Sequence, residues 1–135
     1  MKIVSKFGWV FYRVDAADEL DPSRTGKWMY FWRDRVRVEE LCRKAVEQGI
    51  VVSAKHTDGE DGVACFYGHI DDSDFHRRVI DFFLANEMIK RTKAGSLSNI
   101  AFKLDDQTRA GEYGSDFQGS LKLASLMDLK TGLWL

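Results

Sequence analysis

Residues 105–114, Asp-Asp-Gln-Thr-Arg-Ala-Gly-Glu-Tyr-Gly, gather acid, amide, hydroxyl, guanidinium and phenol groups in one short stretch with no apolar periodicity. Two glycines open backbone angles that other residues avoid. Polar loops of this kind, leaving a strand of a compact domain, often carry ligand contacts. Arg109 is the candidate anion contact, because its guanidinium presents a fork of N–H donors. Tyr113 is the candidate stacking or hydrogen-bonding group, with Glu112 beside it. The competing reading is a solvated loop of structural turns.

A second group is basic: Lys90, Arg91, Lys93, Lys103 and Arg109. If residues 88–104 form a hairpin, several of these come close in space. Side chains alternate across a strand, so Arg91 and Lys93 share a face and Lys90 opposes them. Lys103 joins one side or the other according to register. Such a cluster suits a phosphate or a nucleic-acid backbone. It also suits an ordinary sheet edge protected from aggregation by lysines.

Two further constellations are weighed against structural roles. Trp28, Tyr30 and Trp32 alternate on one face of a strand, with Met29 and Phe31 on the other. Aromatics on an open sheet face can stack on bases, but large rings chiefly supply buried area, and the core reading is preferred. His69, Asp72 and His76 are weak candidates for a metal or for acid–base chemistry. No recognised ligand spacing is met, and helix capping with a surface ion pair accounts for them as well. No metal or other cofactor is expected. Phosphate-cradling, dinucleotide, zinc-protease and nucleophile-elbow motifs are all missing, and Cys42 and Cys65 form no CxxC pair.

The elements that would position these groups follow from the patterning. The chain has 135 residues, 44% hydrophobic and 30% charged, with a net charge of −1. Those values point to one globular domain of residues 1–135 with a full core, and against disorder. They lack the global basic field of a DNA-coating protein but allow a local patch. No stretch is apolar enough for a membrane span or leader, so a soluble cytoplasmic protein with two reduced, buried thiols is expected.

Residues 3–14 read as a strand interrupted at Gly8, and 15–26 as an acidic loop. Residues 27–32 are apolar on both faces, as a central strand is. Asp34 caps a helix whose stripe is Val38, Leu41, Cys42, Ala45 and Val46, with Gly49 ending it. Residues 50–56 and 63–70 form a hairpin. Asp71, Asp72 and Asp74 start a second helix with Phe75, Val79, Phe82 and Phe83 inward. Residues 88–93 and 98–104 are read as a second hairpin, helix being the alternative for 87–93, and a polar loop and a short closing element follow.

This order predicts an α+β fold of the ferredoxin-like split βαβ (βαββαβ) kind, an antiparallel sheet with two helices on one face. An extra N-terminal strand and a C-terminal hairpin and loop extend it. The expected function is a binding module that engages a protein or nucleic-acid partner through residues 88–114. Its site residues would be Arg91, Lys93, Lys103, Arg109, Glu112 and Tyr113. One alternative is a small enzyme or nucleotide-binding domain around Arg109, Glu112 and Tyr113. Another is a homo-oligomer that covers its aromatic sheet face with a second copy.

Overall fold

The computed structural model describes residues 1–105 and 121–135. The described residues are α+β: a seven-stranded, wholly antiparallel open sheet with two α-helices. In chain order the elements are β1 (Lys2–Lys6), β2 (Trp9–Arg13), β3 (Thr25–Trp32), α1 (Arg35–Glu47), β4 (Ser53–Thr57), β5 (Gly62–His69), α2 (Ser73–Ala85), β6 (Ala101–Leu104) and β7 (Leu121–Lys122). Short 3-10 turns cover Asp15–Glu19 and Leu123–Ser125. Across the sheet the strands run β1-β2-β4-β5-β3-β6-β7.

Both helices begin where the caps predict. The Asp34 carboxylate accepts from the Arg37 amide, and the Asp72 carboxylate accepts from the Phe75 amide. The apolar stripe of α1 is buried through Val38, Leu41, Cys42, Ala45 and Val46. That of α2 is buried through Phe75, His76, Val79, Ile80, Phe82 and Phe83. Both stripes pack on one face of the sheet.

Register explains how that face is built. One row crosses all seven strands: Ile3, Tyr12, Ala54, Phe66, Trp28, Phe102 and Leu121. Its five central members are buried. The Phe66 ring meets Phe83 edge-on, with centroids 5.2 Å apart. Trp28 meets His76 and Phe102 in the same edge-on manner. Gly26 sits where β3 and β6 approach too closely for a side chain, since a Cβ there would lie 2.5 Å from the Lys103 carbonyl oxygen. Trp28 and Trp32 belong to this core, while Phe31 points away from it and is 67% exposed.

Two segments depart from expectation. Residues 3–14 are not one strand but the hairpin β1–β2, turned at Phe7 and Gly8 with φ of 55° and 80°. Two successive positive φ values give the tight turn that matches strand twist. Residues 88–93 are neither strand nor helix. The chain leaves α2 through Glu87 (φ 56°), and Met88 and Ile89, though adjacent, are both buried. A strand would send them to opposite faces, so core burial overrides pairing there. All that remains of the expected hairpin is one bridge, Arg91 to Leu97, closed by a turn at Gly95. β6 pairs with β3 instead.

Candidate functional site

The helix-free face of the sheet carries an unusual charge pattern. The described strands contain Lys2, Lys6, Arg13, Lys27, Lys55, Lys103 and Lys122, and no Asp or Glu. Register puts all of these cations on the same face, away from the helices. The chain holds 20 Lys and Arg against 21 Asp and Glu, and among the described residues the acids lie in helices, turns and loops. The described strands of a nearly neutral chain therefore put their charge on one face.

Aromatic rings stand among the cations. One row on this face reads Val4, Phe11, Lys55, Cys65, Met29. Beside it run Lys6, Trp9 and Thr57. The Lys55 ammonium lies 4.0 Å from the centre of the Trp9 ring, 5.7 Å from Phe11 and 5.8 Å from Tyr67. Lys6 lies 5.6 Å from the Phe11 ring. These are cation–π distances. Burial, reinforced by Lys27, lowers the Lys55 pKa. Burial followed by the Lys27 charge does the same to Lys103.

The face has an open wing and a covered flank. On the wing, β1 is exposed along its length, and Trp9, Phe11 and Lys55 are half-buried. On the flank, Lys27 and Lys103, directly opposite each other, are buried. The Lys27 ammonium donates to Asp105 Oδ1 at 2.6 Å. Arg13 is partly neutralised by Asp18. Cys65 is buried between the two regions, and its thiol pKa is raised by that burial.

Of the binding residues singled out by sequence, Arg91, Lys93 and Lys103 are described, and they lie on two different parts of the chain. Lys103 lies on the positive face. Arg91 and Lys93 are exposed on the 88–100 loop, where the Arg91 guanidinium donates to the Gly95 carbonyl across its own turn. Arg109, Glu112 and Tyr113 lie outside the described residues. His69 Nε2 accepts from the Asp21 amide at 2.8 Å and pins the loop before β3. His76 is buried 48 residues from its partner Trp28, so it makes no surface pair with Asp72. Among the described residues no three His, Cys, Asp or Glu side chains are gathered as a metal site.

Two histidines are buried in the core with both ring nitrogens hydrogen-bonded. His76 Nε2–H donates to the Ile70 carbonyl at 2.6 Å while Nδ1 accepts from Trp28 Nε1–H at 3.0 Å. His56, next to last in β4, is fully buried. Its Nδ1–H donates to the Thr57 carbonyl, and Nε2 accepts from the Tyr12 hydroxyl at 3.0 Å. Burial pushes the Tyr12 phenol up to about 12, which keeps it a donor. Burial lowers both histidine pKa values. The unfolded chain titrates near 6.5, so below that pH it binds protons the native state refuses. Stability is then full above pH 6.5 and falls as pH drops below it, by up to about 1.4 kcal/mol per pH unit for each histidine. Urea unfolding at pH 7.5 and 5.5 checks this; equal midpoints would contradict it. The lowered carboxyls of Asp21, Asp71 and Asp128 act at more acid pH and leave this window clear.

A scan against protein-family models and a search of curated proteins both return no match. The chemistry of the face therefore stands on its own geometry.

Proposed function

We propose that this protein is a binding module that takes single-stranded nucleic acid on the positive, helix-free face of its sheet. The observation that carries the reading is the segregation of the strand cations onto one face, interleaved with Trp9 and Phe11, with no carboxylate in any described strand. Phosphates need cations, and unpaired bases need flat rings to stack on. A broad sheet face supplies both for a single strand. Duplex readout instead needs a helix or narrow ribbon that enters a groove. The accessible contacts are Lys2, Lys6 and Lys55 for phosphates, and Trp9 and Phe11 for bases. This reading moves the expected interaction surface from residues 88–114 to the wing formed by β1, β2 and β4.

The split βαβ reading of the fold is retained as part of this proposal. It is supported by the order β4-β5-β3-β6 for the strands of the β3-α1-β4-β5-α2-β6 unit. In that plan both helices lie on one face, and the other is left to a partner.

The test is fluorescence anisotropy of a labelled twelve-residue oligothymidylate across a salt series. Three to four phosphate contacts predict a slope of log K against log salt of about −2 to −3, at about 0.7 per contact for single strands. Undetectable binding at 50 mM salt, or binding that ignores salt, would remove the proposal.

A further inference from the structure

On the same face, three strands beyond β2, a cleft of about 500 Å³ opens beside the end of β3. Phe31, Arg33, Asp61 and Lys90 form its accessible walls, and Phe31, Lys90 and Met88 also line a smaller hollow of about 120 Å³ next to it. Phe31 is 67% exposed, an unusual state for a ring in the central strand of a sheet. Register links it to the wing. Trp9 pairs with Thr57, the Val63 amide donates to Thr57 Oγ1 at 3.2 Å, and Val63 pairs with Phe31. Trp9 and Phe31 thus end one line across β2, β4, β5 and β3. Three strand spacings of about 4.8 Å put the two rings about 14 Å apart.

We infer that the Phe31 cleft is a second base-stacking subsite for the same single strand that the wing binds. This rests on the proposed function above. The strand would cross the sheet from Trp9 to Phe31, perpendicular to the β-strands. Lys90 and Arg33 supply phosphate contacts at the far end; among the described residues neither side chain is held by a hydrogen bond or ion pair. Of the two acids at the cleft, Asp34 is committed to the helix cap. Asp61 is left to accept an N–H from a base, such as the thymine N3–H. Arg33 and Lys90 balance Asp34 and Asp61 in the cleft, so it offers cations for phosphates at its rim beside an acceptor for a base, and the two rings at the ends of the line divide the stacking.

Oligothymidylate binding by three proteins tests this: wild type, Phe31→Ala and Lys90→Ala. Phe31→Ala should weaken affinity about tenfold, as loss of one stacked base does, without changing the salt slope. Lys90→Ala should make that slope about 0.7 shallower. Phe31 is exposed, so its variant should melt at the wild-type temperature, which separates lost binding from lost folding. Wild-type affinity in Phe31→Ala beside weakened affinity in Trp9→Ala would overturn the second subsite and leave the wing standing. Loss of thymidine monophosphate binding in Phe31→Ala, with oligonucleotide affinity kept, would make the cleft a separate mononucleotide pocket and also overturn it. No oligonucleotide binding by wild type would overturn both readings together.

Discussion

Trp9→Ala is expected to bind the oligothymidylate about ten- to a hundredfold more weakly than wild type, with an unchanged slope against salt. Base–aromatic stacking is worth about 1–3 kcal/mol per base, and each 1.4 kcal/mol is about tenfold. The slope holds because no phosphate contact is lost. Lys55→Ala behaves in the complementary way, with a slope about 0.7 shallower. The pair is informative because Lys55 lies directly over the Trp9 ring. In the free protein the ammonium occupies the surface a base would use, so stacking must move it toward a phosphate. If Trp9→Ala keeps full affinity while the salt slope persists, the face binds charge but stacks nothing.

Trp28→Ala is expected to cost about 3–5 kcal/mol of folding stability, the range for truncating a buried large aromatic. Trp28 is fully buried within the seven-strand row, between Phe66 and Phe102, and its ring meets Phe102 and His76. Its removal also takes away the donor to His76 Nδ1, which leaves a buried acceptor unpaired. Denaturant midpoints measure the loss, and a change below about 1 kcal/mol would mean the core repacks around the gap. Conservative Trp28→Phe keeps most of the area but not the N–H, so its difference from wild type reads mainly the hydrogen bond, and the difference between the two variants reads the ring's packing.

Much of this architecture was legible before any coordinates. α1 and α2 were readable because Asp34 and Asp72 cap them and one apolar stripe runs along each. Trp28 and Trp32 were assigned to the core by size and alternation, and that is where they lie. The β1–β2 hairpin was hidden because its turn uses Phe7 at positive φ, a place usually held by Asn, Asp or Gly. Residues 88–93 were misread because Met88 and Ile89 answer to tertiary burial, not to a local period.

The positive face was harder to see. Lys2, Lys6, Arg13, Lys27 and Lys55 are far apart in sequence, and only register makes them neighbours. A trace of it was available in β3, where Lys27 falls out of step with Trp28, Tyr30 and Trp32. The same alternation in β2 sets Trp9, Phe11 and Arg13 against Val10 and Tyr12. A run of adjacent basic residues such as Lys90-Arg91 draws attention more readily, yet it scatters over a loop.

Confining the strands' charges to one sign leaves that face of the sheet locally positive, despite a net charge of only −1. A polyanion nearing the face would feel that local field before contact and be oriented as it arrives. Orientation of that kind acts on the rate of encounter more than on the lifetime of the complex, and fades as salt shortens the reach of the field. The sheet can therefore set the direction of approach even where the overall charge sets no attraction at all.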